Sequence, residues 1–469
     1  MNLLIKLGTV LALAGLLPFI LPAQALVWEN VRSQVLANHP ASKQADLYLQ
    51  QADYAVLRAK GGFDPKAYVD YYTKNFKDKT YFQYTESGVK LPSFAGFEFK
   101  AAYNLASGYY LNSESTLPEN GQASLGFTWS LGQGLFTDER RTGLRQAQIG
   151  IQTANAERDL LRNDLLLEAA KAYWTWVVAD NQYNIFNSAL QQARIRHDAL
   201  RESFRQGDKP AVDTIETHIQ VQNRQLDVNF AAVDLQNAAL GLQNFLWEEN
   251  QATPRAVPAG SAVDLENVAT MVALVDRESL LNTALSRHPE LRLYQAKLQN
   301  LGAERRLKNE KRKPVLDVNY NILGAGWEFF PTATTNGVGV LGQDIKWGLN
   351  FSYPILNRKA RGDWQITQVK IAQTELDLDQ KRQSIRNKVQ QYANDLDVLR
   401  TQIVLYRDIT EQYRRLLDAE TEKFGQGESS IFLINTREQR WLDARIKYLK
   451  LLGEFQKTEA GLRWASGEY

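Results

Sequence analysis

Two hydrophobic patterns recur along the chain, in the same order in each half. Short stretches near residues 66–73, 122–131, 314–323 and 345–354 alternate apolar and polar residues, which is the period of two that indicates β-strands with one apolar face. Longer stretches contain neither glycine nor proline, and their apolar residues recur at steps of three and four, which indicates helices. The patterns predict two copies of a unit that joins a strand hairpin to a very long helix.

The apolar positions of the long helices, which begin near Ile151 and Asp363, form continuous seams. The seam of the first helix comprises Ala169, Ala172, Trp176, Ala179, Tyr183, Phe186, Leu190, Ala193, His197, Leu200 and Phe204, and that of the second comprises Ile385, Val389, Tyr392, Leu396, Leu399, Ile403, Tyr406, Thr410, Tyr413, Leu417, Glu420 and Phe424. An average step of about 3.5 residues indicates a coiled coil. At about 1.5 Å per residue each helix would extend roughly 85 to 95 Å, so it needs a partner along its length.

Short matches between the two halves indicate an internal duplication. The dipeptide His39-Pro40 corresponds to His288-Pro289. Each long helix ends in an aromatic-x-x-Gly motif, at Gly207 or Gly427, and a second helical stretch follows at once. Each copy therefore contains an αα-hairpin with a glycine at its turn.

These elements divide the chain into four parts. They are residues 1–25, a first repeat at 26–250 with a helical hairpin at 138–250, a linker at 251–275, and a second repeat at 276–466 with a helical hairpin at 360–466. The linker contains Pro254, Pro258 and Gly260. A further alternating piece at 97–103 leaves open whether the first repeat has a third strand.

Residues 1–25 have the organisation of a secretory signal. Lys6 precedes an apolar stretch that ends at Ile20, and the small residues Ala23 and Ala25 form a cleavage site. The alternative is an N-terminal anchor helix, although Pro18 and Pro22 interrupt it. After this segment the sequence has no apolar run of about 18 residues, so a chain that spans a membrane would do so as a barrel.

Composition excludes several classes of protein. Lys and Arg number 55 against 53 Asp and Glu, so the charge balance gives no reason to expect a nucleic-acid partner. The chain has no cysteine, which excludes disulfides and a cysteine-linked lipid anchor. The four histidines, His39, His197, His218 and His288, lie far apart without metal-ligand spacing. We expect no catalytic site, no metal and no cofactor.

Counting strands predicts an oligomer. Two hairpins give four strands, whereas single-chain outer-membrane barrels start at about eight, so this chain would have to share a barrel with sister subunits. Aromatic residues concentrate in and beside the predicted strands, where a barrel meets its lipid interfaces; they include Tyr68, Tyr71, Tyr72, Tyr103, Tyr109, Tyr110, Phe127, Trp129, Trp327, Phe329, Phe330, Trp347 and Tyr353. The alternative is aromatic pairing in a soluble sheet.

The arrangement resembles the TolC family of outer-membrane efflux proteins over essentially the whole chain after residue 25. The likeness rests on the order of elements, on the segment His288-Pro-Glu-Leu291, and on the two aromatic-x-x-Gly turns. It implies an α+β, mostly α membrane protein, in which two tandem repeats give four strands of a shared trimeric twelve-stranded β-barrel. The long coiled-coil hairpins would form a periplasmic tunnel.

The resemblance also implies a function and partners. The chain would be an outer-membrane channel-tunnel that provides the exit duct of a tripartite efflux or type I secretion system. Its partners would be two sister chains in a homotrimer, outer-membrane lipid, a periplasmic adaptor (membrane fusion) protein and an inner-membrane pump. The alternative function is a periplasmic coiled-coil scaffold or pump adaptor. The exported substrate stays open, because a conduit has no substrate pocket to identify.

Two sets of site residues follow from the resemblance. The tip turns that would contact the adaptor contain Phe204, Gly207, Phe424 and Gly427. The periplasmic gate, which acidic rings close in the family, would contain Asp213, Glu216, Asn435 and Glu438. The alternative for the acidic residues is that they are solvated charges favoured by a helix N-terminus.

Overall fold

The structure is a computed structural model, and it describes residues 25–113, 116–249, 251–258, 260–269, 276–327 and 344–468. The predicted signal segment therefore lies outside the described residues, apart from Ala25. Backbone packing divides the chain into two compact units, each built from segments of both sequence halves. The helical unit comprises Met1–Pro40, Leu166–Val275 and Tyr392–Gly461, and the sheet unit comprises Ala41–Leu165, Asp276–Gln391 and Leu462–Tyr469.

The sheet unit contains one antiparallel sheet, whose strands lie in sequence order. The strands are β1 (Lys66–Phe76), β2 (Lys79–Pro92), β3 (Phe97–Ser107), β4 (Gln122–Ser130), β5 (Val315–Ala325) and β6 (Ile345–Ser352). Each strand pairs with the next, so β4 of the first half pairs with β5 of the second. No described strand pairs with the outer edge of β1 or of β6.

The prediction of four strands is wrong, because the described residues contain six. The extra hairpin is β2 and β3, and the piece at 97–103 belongs to β3. Strand β2 has weak alternation because Gln83, Thr85 and Ser87 occupy positions of its otherwise apolar face. The turn before it, Lys77-Asp78, has positive φ at both residues without a glycine, so the usual hairpin signal is missing.

Nine α-helices lie in the described residues, with a 3₁₀ turn at Gly61–Phe63. They are α1 (Trp28–Asn38), α2 (Pro40–Lys60), α3 (Glu139–Arg205), α4 (Ala211–Gln243), α5 (Leu265–Ala269), α6 (Arg277–Arg287), α7 (Pro289–Glu310), α8 (Arg358–Gly425) and α9 (Ile431–Ser466). Helices α3 and α8 contain 67 and 68 residues. Residues of the predicted seams are buried in each of these helices, including Trp176 and Leu200 in α3 and Leu396 in α8. A coiled-coil helix buries its seam residues in this way against the helix it packs on.

The His-Pro dipeptides explain why each half opens with two helices rather than one. Proline has no backbone N–H and disfavours helical geometry in the residue before it, so the helix stops and restarts there. In the second half His288 caps α7, because its Nδ1 accepts the backbone N–H of Glu290 at 3.2 Å. Burial lowers the pKa of both His39 and His288, as it does for a structural imidazole held neutral.

Candidate functional site

The two helical turns that carry the predicted tip residues have the same backbone structure. Gly207 has φ +85° and Gly427 has φ +82°. The N–H of Gly207 donates to the carbonyl of Phe204 at 3.0 Å, and the N–H of the next residue donates to the carbonyl of Ser203 at 2.9 Å. The second turn repeats both bonds at the same two lengths. This is the Schellman motif, which requires a left-handed residue and so explains both glycines.

The aromatic residues of the two turns differ in their surroundings. Phe204 is 43% exposed. Phe424 packs against a buried cluster formed by Leu200, Leu417, Ile431 and Ile434. The Lys209 ammonium lies over the Phe424 ring, 4.9 Å from its centre, so a residue of the first turn covers the aromatic residue of the second.

Three of the four predicted gate residues are brought together by an arginine of α3. Arg196 forms a bidentate ion pair with Glu438, with N–O distances of 3.0 and 3.2 Å. Its Nη1 also donates to Asn435 Oδ1 at 3.3 Å. Asn435 in turn donates to Glu216 Oε1 at 3.4 Å. Asn435 and Glu438 are both buried, so neither presents its polar group to solvent in this chain.

Asp213 is not part of this cluster. Its backbone carbonyl accepts the hydroxyl of Thr217 at 3.0 Å, but within the described residues its carboxylate has no hydrogen bond or ion pair. The side chain is half-buried at the first turn of α4, where the helix dipole favours a negative charge. Among the carboxylates of the predicted gate, Asp213 therefore has the fewest side-chain contacts in the part of the chain that the structure describes.

Sequence reasoning missed two basic residues that organise the cluster. Arg196 lies beside the α3 seam, and Arg224 of α4 is only 2% exposed. Arg224 donates to Gln439 at 2.8 Å and to Asp227 at 2.9 Å, and lies 4.0 Å from Glu438. The polar spacing along α3 or α4 gives no signal for the contacts with Glu438 and Gln439, because those two residues lie more than two hundred positions away in sequence.

The second turn also has a polar contact that the first lacks. Glu420 of α8 accepts the hydroxyl of Ser429 at 2.5 Å and Nε of Arg437 at 3.5 Å. The hydrogen bond from Ser429 and the Arg437 charge hold the pKa of the Glu420 carboxyl below its ordinary value. The aligned position in α3 is Leu200, which is buried among apolar side chains.

One face of the sheet is apolar and largely uncovered. Its large exposed side chains are Val69, Tyr71, Val89, Leu91, Phe99, Leu105, Leu125, Trp347, Leu349 and Phe351. A single cross-strand row joins Leu91, Phe99, Phe127, Tyr320 and Trp347. Water would be an unfavourable solvent for an apolar surface of this extent.

The opposite face is polar and internally hydrogen-bonded. The hydroxyl of Thr128 donates to Asn319 Oδ1 at 2.7 Å, and that of Ser130 donates to Asp317 at 2.6 Å. This face contains a concavity of about 640 Å³, lined by Tyr72, Tyr84, Glu86, Lys100, Asn104, Gln122 and Lys346 among others. The two faces of the sheet therefore differ sharply in polarity.

The four histidines form no metal centre. Among the described residues no three His, Cys, Asp or Glu side chains are placed to hold a metal ion. His197 and His218 lie closest, with ring centres 5.4 Å apart, and His197 Nδ1 bonds the Thr217 hydroxyl at 3.0 Å. In the same described part of the chain, no helix combines the length and apolar character needed to cross a membrane.

Comparisons with known proteins agree with this architecture. A sequence model described as outer membrane efflux protein matches residues 280–468. A comparison with curated protein sequences gave no match. The CmeC outer membrane channel of Campylobacter jejuni has a TM-score of 0.61 at 13% identity, covering 94% of this chain and 85% of that chain.

Two further solved structures are similar over the same extent. The outer membrane protein VceC of Vibrio cholerae has a TM-score of 0.63 at 11% identity, covering 94% of this chain and 96% of that chain. The open state of the MtrE outer membrane channel of Neisseria gonorrhoeae has a TM-score of 0.64 at 13% identity, covering 94% and 88%. The TM-scores show that the fold is shared, and at identities this low the similarity concerns the fold alone.

Proposed function

Residues 280–468 belong to the outer membrane efflux protein family, and on that basis we infer that the whole chain is one protomer of an outer-membrane efflux duct. The sheet supports this inference most strongly, because it has one apolar exposed face, one polar face and two edges that no described strand pairs with. A barrel wall facing lipid outside and water inside has this construction. The family and the similar structures are channel proteins, so we assign no catalytic role.

The duct is an oligomer, because neither the sheet nor the helices are complete in one chain. The open edges of β1 and β6 would be costly in lipid, so β1 of one copy pairs with β6 of the next. Helix α4 exposes Val212, Ile219, Leu226, Val233 and Leu240, one residue per heptad. We name these five residues the α4 stripe, which packs against a second copy as a coiled-coil seam does.

By its resemblance to the family the assembly is a trimer, but its barrel contains more strands than the twelve that the sequence predicted. A twelve-stranded barrel needs four strands from each of three chains, whereas the described residues supply six. Three such chains supply about 18 strands, and a barrel's diameter grows with strand number. The additional β2–β3 hairpin therefore enlarges the lumen of the barrel.

The helical tips face the periplasm and carry the gate and the docking site. Phe204 and Phe424, with the turns that Gly207 and Gly427 allow, contact the periplasmic adaptor that links the duct to an inner-membrane pump. Asp213, Glu216, Asn435 and Glu438 belong to the gate. Within it, the Arg196–Glu438 pair holds α9 against α3, and Asp213 is the carboxylate left to face permeating ions.

Residues 1–25 direct the chain across the inner membrane and are then removed. The alternative, a periplasmic scaffold or adaptor, would leave the apolar face of the sheet in water. That alternative does not account for an extensive exposed apolar surface on six paired strands.

Fractionation and crosslinking test the proposal. Because the chain has no cysteine, a pair such as Val69→Cys in β1 and Leu349→Cys in β6 reports contacts between copies without background. We expect outer-membrane oligomers whose crosslinked mass is three chains. The control pair, Val69→Cys with Leu125→Cys of β4, should not crosslink, because β4 lies inside the sheet between β3 and β5. Recovery of the chain in the soluble periplasm would refute the duct.

A further inference from the structure

One cross-strand row on the polar face of the sheet is dominated by lysine. In the order β1 to β6, the row comprises Lys66, Lys90, Lys100, Gly126, Asn321 and Lys346. Its four lysines, named here the lysine row, come from four strands that are scattered over most of the sequence. Their alignment depends on strand register, so no segment of the sequence shows it.

Most of the charge of the lysine row is not neutralised within the chain. Lys100 Nζ lies 2.5 Å from Glu86 Oε1 and forms an ion pair. Among the described residues, the other three lysines have no carboxylate within ion-pair distance. The Lys90 ammonium lies over the ring of Tyr68, 4.5 Å from its centre, a contact that keeps the positive charge.

The neighbouring rows do not cancel this charge. The adjacent row towards the β1–β2 turn comprises Tyr68, Gly88, Ala102, Ser124 and Leu323, and it ends at a single carboxylate, Asp344, whose backbone carbonyl accepts the N–H of Leu323 at 2.8 Å. On the other side, Glu98 lies 3.4 Å from Arg140, which offsets it. Asp70 and Glu86 stand two rows away, and Glu86 is already paired with Lys100. The lysine row is therefore a positive band between less charged rows.

The position of the lysine row in a barrel determines what it can do. Barrel strands tilt by roughly 40° from the axis, so a row perpendicular to the strands runs obliquely around the inner wall. Several lysines from every copy would then face the aqueous lumen along one oblique band. Low-dielectric walls focus the field of such charges, and rings of Lys or Arg select anions in pores.

We propose that the lysine row is an anion-attracting band of the duct wall, which favours passage of solutes bearing carboxylate or phosphate groups. This rests on the proposed function, because it requires the polar face to line the lumen. Lys100 and Lys346 both line the concavity of about 640 Å³, together with Tyr84, Asn104 and Gln122. The side-chain amides of Asn104 and Gln122 can donate further hydrogen bonds to an oxyanion, whereas the Tyr84 hydroxyl is already directed at Glu86 and Asn104.

A cysteine probe on the row tests the proposal. Asn321→Cys would be the only cysteine of the full-length chain, reconstituted as its oligomer in phospholipid vesicles. Its reaction rates with an anionic sulfonatoethyl and a cationic trimethylammonioethyl methanethiosulfonate give a ratio that reports the local potential. Changing Lys66, Lys90 and Lys346 to Gln should lower the anionic-to-cationic ratio about fivefold.

A matched variant removes the same charge elsewhere. Changing Lys423, Lys447 and Lys450 of α8 and α9 to Gln should leave the ratio unchanged, because these lysines are not on the sheet. If the triple variant of the row assembles poorly, Lys90→Gln alone should shift the ratio in the same direction. An unchanged ratio in the row variants, or an equal fall in the matched variant, would overturn the proposal.

A probe on the other face separates this inference from the proposed function. Leu349→Cys lies on the apolar face, 59% exposed in the single chain, and lipid should protect it from both charged reagents. If Leu349→Cys is protected but the reaction-rate ratio at Asn321→Cys does not change when the lysines are substituted, the proposed duct is supported and the anion band is refuted. Equal labelling of both positions would remove the duct itself.

Discussion

The two helical hairpins share a turn but differ in the helix that returns from it. Both turns have a glycine at positive φ and the same pair of capping bonds. Helix α9 buries most of its apolar residues within the chain, whereas α4 leaves the α4 stripe 48 to 64% exposed. Local backbone chemistry therefore repeats between the copies, while side-chain packing depends on where each helix finds its partner. We infer that the partner of α4 belongs to another copy.

The difference extends to the acidic residues beyond each turn. Glu438 of α9 is buried and paired with Arg196, with Arg224 at 4.0 Å. Glu216 of α4 lies nine residues beyond Gly207, against eleven between Gly427 and Glu438, and within the described residues the one hydrogen bond of its side chain is that from Asn435 at 3.4 Å. The two glutamates of the predicted gate therefore differ, because Glu438 is held in a buried ion pair and Glu216 by one long hydrogen bond.

The largest expected effect comes from placing charge on the α4 stripe. Leu226→Asp with Val233→Asp should weaken assembly about 100-fold or more, because each carboxylate would be buried in an apolar seam between copies. Native mass spectrometry of detergent-extracted protein measures the loss. Asn223→Asp, on an exposed polar position of the same helix, should assemble normally. Intact trimers from the double variant would show that α4 does not face a sister chain.

Removing the buried carboxylate should have the next largest effect. Glu438→Ala leaves Arg196 and Arg224 without their shared counter-charge, which should cost about 3 kcal/mol in the opening of α9. Glu216→Ala should cost less than about 1 kcal/mol, since it removes one long hydrogen bond. Hydrogen exchange of the α9 amides measures both values. Similar losses in the two variants would contradict the distinction between the two carboxylates.

The same comparison shows what the sequence could and could not predict. Glycine turns and unbroken helical seams were predictable, because each depends on residues that are close in sequence. Strand β2 was not, because Lys77-Asp78 turns without glycine and the strand has polar residues on both faces.

Contacts between distant segments were also beyond sequence reasoning. The Arg196–Glu438 pair joins α3 to α9, and nothing near either residue indicates the other. The lysine row requires the register of five strand pairs. The tip residues Phe204, Gly207, Phe424 and Gly427 were identified by resemblance, and their role as an adaptor contact stays a prediction.

Substitution of the two turn glycines should have equal, smaller effects. Gly207→Ala and Gly427→Ala each place a Cβ on a residue with positive φ, which should cost about 1 to 2 kcal/mol. An added Cβ would meet no neighbouring atom within 4 Å at either turn, so backbone strain is the whole effect. Thermal unfolding of the two variants measures it. A clearly larger loss at one turn would show that the turns are not equivalent.

The smallest expected effect is a pH response confined to the second turn. The Ser429 hydrogen bond, with Arg437, gives the Glu420 carboxyl a lower pKa in the folded chain than in the unfolded chain. Its contribution to stability is therefore complete above the unfolded value of about 4.3 and is lost as pH falls through the folded pKa. Amides of residues 426–430 should lose protection over that acidic range, after correction for intrinsic exchange, whereas those of 206–209 should not, because Leu200 replaces Glu420. Glu420→Gln should abolish the response, and an equal response in both turns would assign it to some other carboxylate.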